Sequence, residues 1–254
     1  MQRFRDQVAI ITGGGAGIGR ATARRLAAEG ARLVLVDRDA ADLSAAEAEL
    51  RAGGAEVEPV PGTVADEAVC RSAVRAAYDR WGRLDVVVAN AGARAFGSVL
   101  NASEADWREL LDVNLRGTAL TCAEAARAML TAGDRGAFVL VSSVHAVVGR
   151  AEMPIYDATK AALVSLARSL AIELAPHGLR VNSVCPGFTV TEFHTRRAER
   201  AGSDPSELYN SPTGLLGRPA DPAEIAAAIA FLASGDASYI TGTNLMVDGG
   251  RHAV

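Results

Sequence analysis

The chain has 254 residues, 49% of them hydrophobic and 22% charged, the balance of a globular protein with a sizeable core and not of a disordered tail or fibre. Lys plus Arg number 26 against 30 Asp plus Glu, a formal charge of −4, whereas a duplex-binding protein normally carries a basic face. Nucleic acid and anionic membrane are disfavoured as partners; a dinucleotide is not.

The amino terminus passes directly into the apolar run 8–11, too short for a signal core or a membrane span, so a cytoplasmic protein is expected. The first predicted strand, 7–12, runs into Thr12 Gly13 Gly14 Gly15 Ala16 Gly17 Ile18 Gly19, and a helix at 17–29 follows. Glycines let the backbone turn tightly and approach a pyrophosphate, and the free N–H groups of a new helix favour an anion there. Gly13, Gly15, Gly17, Ile18 and Gly19 are therefore cofactor candidates, with a purely structural turn as the alternative. A strand at 32–36 ends beside Asp37, where a carboxylate can bond the ribose hydroxyls of adenosine and repel a 2′-phosphate. NAD is thereby favoured over NADP, unless Asp37 only caps the next helix. Arg38 is a candidate for stacking on adenine or pairing with a phosphate.

A helix at 40–52, a strand at 56–60, a helix at 67–81 and a strand at 84–89 continue the alternation, with Gly30, Gly53 and Gly82 as helix stops. Two helices are expected next, at 104–115 and 118–130, the first capped by Ser103 with Asp106. Ser143 stands at the carboxyl end of a strand at 137–142, where open α/β sheets bind ligands. The helix at 155–175 opens on Tyr156 Asp157 Ala158 Thr159 Lys160, an offset that puts phenol and ammonium on one face. A tyrosine titrates at about 10 when unperturbed, and a neighbouring cation brings it down toward use as a proton carrier.

A strand at 180–184 precedes the stretch 189–219, which has glycine, proline and charge in place of periodicity. An excursion of that length reads as a functional lid or binding loop, and the run 192–200 within it as a solvated helix face. A helix at 222–233, capped by Asp221 with Pro222 and Glu224, and a strand at 244–247 complete the chain. Nearly continuous apolar strands alternating with helices predict a parallel sheet covered on both faces. Cys70, Cys122 and Cys185 are far apart, and the four histidines lack a helical metal-ligand spacing, so neither a disulfide framework nor a metal site is expected.

In order and spacing, Thr12 Gly13 to Gly17 Ile18 Gly19, Asn90 Ala91 Gly92, Asn114, Ser143, Tyr156 with Lys160, Pro186 Gly187 and Val247 Asp248 Gly249 Gly250 resemble the classical short-chain dehydrogenase/reductase family over nearly the whole chain. The resemblance implies one Rossmann domain over 1–254, with a doubly wound seven-stranded parallel sheet and helices on both faces. It implies a nicotinamide cofactor, a tetrad of Asn114, Ser143, Tyr156 and Lys160, and a homotetramer built on the helices at 104–130 and 156–175. By the same resemblance Lys160 binds the nicotinamide ribose, Asn114 supports a water-linked proton path, Thr191 contacts the carboxamide, and Thr189 is a cofactor-binding residue. Further cofactor contacts are implied at Thr63, Val64, Asn90, Ala91, Gly92, Pro186 and Gly187. Two departures stand out: Ala89 where many members have a second asparagine, and Thr63 where many have an aspartate facing adenine, with Asp66 and the Val64 backbone still at hand.

The expected reaction interconverts a secondary alcohol and a ketone, or a sugar hemiacetal and its lactone, with Tyr156 exchanging the proton. Family geometry places Arg94, His145, Glu152, Glu192 and His194 around the reacting carbon, more polar groups than a steroid or long acyl chain needs. A sugar or polyol is therefore expected, and Ser142 Ser143 Val144 His145 resembles the corresponding stretch of bacterial glucose 1-dehydrogenases, with Ala146 where a glutamate usually follows. The alternatives are an NADP-dependent 3-oxoacyl reductase, which Asp37 disfavours, and a non-catalytic dinucleotide sensor, expected to lack the tyrosine or lysine. A lyase of the halohydrin dehalogenase kind would have arginine at the lysine and no glycine-rich turn.

Overall fold

Along β1 (Val8–Thr12) successive side chains enter different cores: Val8 and Ile10 pack into one, Ala9 and Ile11 into the other, all with no exposed surface. A strand apolar at every position needs cover on both faces. The computed structural model, which describes residues 2–254, supplies it on every strand of the sheet but the two at its edges. The order of elements is α1 (Gly17–Ala28), β2 (Arg32–Asp37), α2 (Ala40–Ala52), β3 (Val57–Pro61), α3 (Glu67–Trp81), β4 (Val86–Ala89), α4 (Glu104–Leu110), α5 (Thr118–Ala132), β5 (Gly136–Val141), α6 (Pro154–Leu174), β6 (Leu179–Pro186), α7 (Glu192–Arg200), α8 (Pro222–Ala233) and β7 (Asn244–Val247). All seven strands are parallel in one sheet of order β3-β2-β1-β4-β5-β6-β7. Side chains of α3, α5 and α6 fill the core on one face, those of α1, α2 and α8 the core on the other. The chain reverses its direction of winding between β1 and β4, and a crevice opens there at the carboxyl ends of the strands, the usual ligand position in such sheets.

The expected elements are present, with instructive differences. The two helices expected at 104–115 and 118–130 form one rod, because a π-helical segment, Leu111–Gly117, joins α4 to α5. Gly117 looks like a break in the sequence, yet it is helical at φ −63°, and a Cβ there would lie 2.6 Å from a methyl of Val64. The glycine serves close packing. After α2 the left-handed residue is Gly54 and not Gly53, while Gly30 and Gly82 are left-handed as helix stops require. The capping boxes at Ser103 and Asp221 form as expected. The stretch 189–219 holds α7 and a short 3₁₀ turn, Pro205–Asn210, and a bridge from Thr189 to Ala220 closes its base. β7, at the sheet edge, is only half-buried.

Candidate active site

The turn after β1 is held by contacts that only glycine permits. Gly13 has φ +65°, and a Cβ on Gly19 would sit 1.9 Å from the Gly13 carbonyl oxygen. Thr12 Oγ1 accepts from the N–H groups of Asn90 and Ala91, both at 3.0 Å, and Asn90 Nδ2 donates back to the carbonyls of Thr12 and Gly13 at 2.9 and 3.1 Å. The turn and the end of β4 are thereby locked together. Gly13, Gly17 and Ile18 line the crevice, whereas Gly15 and Gly19 do not. Gly15 instead donates its N–H to Asp37 Oδ2 at 2.9 Å, and Gly19 lets α1 pack against the turn.

At the adenosine end stand Asp37, Arg38, Thr63 and Val64. Asp37 fixes its carboxylate by accepting from Gly15 and Asp39 N–H groups. Arg38 is paired with Glu109 across the rim at 3.1 Å, which offsets the positive charge a 2′-phosphate would use. Asp66 does not reach the crevice; its carboxylate caps α3 through the Ala68 N–H at 2.8 Å. Over the glycine turn, Glu192 of α7 accepts from the Gly17 N–H at 2.8 Å. That carboxylate therefore faces the phosphate-binding turn, away from the carbon-binding end where the sequence reading placed it. The crevice thus has what a dinucleotide requires: a turn with no side chains in the way, a helix N-terminus, and a fixed carboxylate at the end of β2.

At the other end Ser143, Tyr156 and Lys160 converge, all buried. Ser143 Oγ accepts from the His145 N–H at 3.1 Å, which leaves its own proton free to donate into the crevice. Lys160 lies with Nζ 5.7 Å from the centre of the Tyr156 ring and donates to the Val141 carbonyl at 2.8 Å. Ser142 Oγ donates to the Lys160 carbonyl at 2.6 Å, tying the start of α6 to the end of β5. Burial works to raise the Tyr156 pKa, but the charges of Lys160 and Arg94 and the Ser143 hydroxyl outweigh it, and the phenol is shifted down. Burial also pulls the Lys160 ammonium down, against the opposing pull of Tyr156. Asn114, fully buried in the π-helical segment, uses its amide on protein groups: Oδ1 accepts from Ala93 N–H at 2.7 Å, and Nδ2 donates to the Ala93 carbonyl and to Thr159 Oγ1. Pro186, Gly187, Thr189 and Thr191 line the same crevice, as do Asn90, Ala91 and Gly92. Cys185 is fully buried and burial pushes its thiol up, as suits a packing residue.

The other four substrate candidates do not fare alike. Arg94 lines the crevice above Tyr156, with Cζ 5.8 Å from the ring centre. His194 stands behind it, its Nε2 2.7 Å from an Arg94 nitrogen. His145 turns away to the Val148 carbonyl at 3.0 Å and toward Asp157, and Glu152, exposed at φ +62°, contributes its carbonyl to the Gly97 N–H. Neither lines the crevice, so the polar lining expected for a sugar is reduced to Arg94 with His194 in support. Phe193, which the sequence reading passed over, does line it; an aromatic in an aperiodic stretch carries no signal of direction.

A family model described as "Enoyl-(Acyl carrier protein) reductase" matches residues 13–252. The chain is 39% identical to the L-rhamnose 1-dehydrogenase (NAD(P)(+)) of Azotobacter vinelandii, covering 96% of each chain. It is 40% identical to the cis-4-hydroxycyclohexanecarboxylate dehydrogenase of Sinomonas cyclohexanicum, covering 100% of this chain and 99% of that one. The crystal structure of carveol dehydrogenase from Mycobacterium avium in complex with NAD superposes with a TM-score of 0.93 at 29% identity, over the whole of both chains. With the glycine turn, the Ser143, Tyr156 and Lys160 cluster and these likenesses in hand, the chain belongs to the short-chain dehydrogenase/reductase family, oxidoreductases acting on CH–OH groups.

Proposed function

We propose that the protein is an NAD-dependent oxidoreductase that interconverts a small secondary alcohol and its ketone. The observation that carries this is the convergence of Ser143, Tyr156 and Lys160 in the crevice that also holds the glycine turn and Asp37. A bound nicotinamide dinucleotide supplies the acceptor for hydride leaving the carbinol carbon. Tyr156 takes the hydroxyl proton, helped by its lowered pKa, and returns it when the ketone is reduced. Ser143 donates to the oxygen as it becomes a carbonyl, a role its hydrogen bond from His145 leaves open. Lys160, held between Val141 and the phenol, keeps positive charge beside the developing phenolate and would meet the ribose of a bound cofactor. Asn114 braces the Ala93 backbone beneath the site. The stretch 189–219 closes the substrate side.

NAD is preferred over NADP because a 2′-phosphate would meet the Asp37 carboxylate, while Arg38 is engaged by Glu109. One such clash exceeds about 1.4 kcal/mol, or tenfold in affinity. The test is NADH formation at 340 nm with a panel of secondary alcohols, repeated with NADP: kcat/KM should favour NAD by at least about tenfold. Equal values for the two cofactors would remove Asp37 as the discriminator. A sugar or polyol, the class of the rhamnose enzyme's named substrate, is retained in that panel, although His145 and Glu152 lie outside the crevice.

The protein is further proposed to work as a homotetramer in the cytoplasm. Its three cysteines are unpaired thiols, in keeping with a reducing compartment. Ala158 and Ala161 face outward on α6, and Trp107, Leu111 and Leu130 are exposed along the α4 to α5 rod, small and apolar groups suited to close helix contacts. Light scattering at micromolar concentration should give four times the 26.3 kDa chain mass, and a monomer would contradict the proposal.

A further inference from the structure

We propose that the alcohol this site takes also carries a carboxylate, and that Arg94 reads that anion. This rests on the dehydrogenase reading above and narrows its substrate. The charges of three arginines, Arg94, Arg150 and Arg197, bear on His194, and Arg94 touches it at the carbon-binding end of the crevice. Among the described residues none of their guanidinium groups has a carboxylate oxygen within 4.0 Å. Arg38, at the cofactor end of the crevice, differs in being paired with Glu109. Positive charge is therefore offset at the cofactor end and left open where substrate enters.

Arg94 is the member of the three that lines the crevice, and its neighbours hold it without neutralising it. Its guanidinium lies over the rings of Phe193 and Tyr156, with Cζ 5.1 and 5.8 Å from their centres. One nitrogen meets His194 Nε2 at 2.7 Å. A guanidinium has no acceptor, so Nε2 accepts from Arg94, while Nδ1 faces the hydroxyl and the backbone N–H of Thr191 at 3.0 and 3.3 Å. Burial, with the charges of Arg94, Arg150 and Arg197, lowers the His194 pKa to about 3, so the ring is neutral at physiological pH. His194 thus fixes the plane of Arg94 and adds no charge of its own. The remaining N–H groups of the fork match the two oxygens of a carboxylate. Because Arg94 sits directly over the Tyr156 ring, the carboxylate and the reacting hydroxyl belong to one short molecule, a hydroxy acid.

The test uses the full-length enzyme with NAD and matched pairs: 3-hydroxybutyrate, 4-hydroxypentanoate and mandelate, each against its methyl ester. The acids should exceed the esters in kcat/KM by about tenfold or more, mainly through KM. Arg94→Met should erase that preference, and Arg94→Lys, which keeps the charge and loses the fork, should restore part of it. Should the variants fail to fold, butyrate should still inhibit the wild-type enzyme competitively against a neutral alcohol while butyramide does not. Esters and neutral alcohols oxidised as well as the acids would overturn the carboxylate assignment and leave the dehydrogenase reading standing. No NADH from any compound would overturn both.

Discussion

Tyr156→Phe is expected to lower alcohol oxidation by about 10²- to 10⁴-fold, the contribution usual for a positioned acid–base group, while NADH binding followed by fluorescence survives. The ring is buried and packed, so losing one oxygen leaves its shape and its contacts with Arg94 in place. What disappears is the phenol hydroxyl that exchanges the proton beside Ser143. The pH profile follows from the same surroundings. Lys160, Arg94 and Ser143 together hold the phenol below its ordinary value in spite of burial. Oxidation needs the deprotonated form, so its kcat/KM should rise with pH through an inflection below about 10 and then level off, and ketone reduction should fall through the same inflection. Retention of more than about a hundredth of wild-type activity by the phenylalanine variant would exclude Tyr156 as the essential acid–base.

Much of this site is legible in the sequence because its parts lie on regular elements with fixed offsets. Tyr156 and Lys160 share a helix face by periodicity alone, and Ser143 must emerge where β5 ends. Asp37 could be placed because it terminates a strand whose neighbour carries the glycine turn. Side-chain direction in irregular segments is a different matter. His145 follows Ser143 by two residues, yet its ring is drawn to the Val148 carbonyl and Asp157, and only its backbone N–H serves the site. Glu152 precedes Tyr156 closely, but a left-handed backbone at that residue leaves its side chain exposed. Glu192 and His194 sit two apart on α7, and one covers the phosphate turn while the other backs Arg94. Helix periodicity puts residues two apart on different sides, but which end of the crevice each side meets is set by the long excursion that carries α7. The π-helical join through Asn114 was hidden for a related reason: Gly117 signals a break only to a reading that does not see Val64 packed against it.

Gly19→Ala is expected to damage the cofactor turn and the fold together. Gly19 is an ordinary helical residue in α1, so an alanine there would by propensity alone stabilise the helix. The third dimension reverses that sign. An added Cβ would lie 1.9 Å from the Gly13 carbonyl oxygen and 2.6 Å from Asn90 Nδ2. The first of these is backbone, and it cannot turn aside. Nor can α1 retreat freely, since Ala23 and Leu26 on the same helix are fully buried in the core beneath it. The turn must therefore move, taking with it the Asn90 hydrogen bonds that lock it to β4. Overpacking of this kind costs about 1–3 kcal/mol, which for a chain of this size lowers the melting temperature by roughly 2–12 °C. NADH affinity should fall by more than about tenfold, because the turn's N–H groups no longer share one focus. Gly235→Ala is the control: open space surrounds that position and its φ is ordinary, so both readouts should stay near wild type, within about 0.5 kcal/mol. A Gly19→Ala protein that melts and binds NADH like wild type would show that the turn adjusts at no cost, and that the glycine is there for some reason other than the approach of α1.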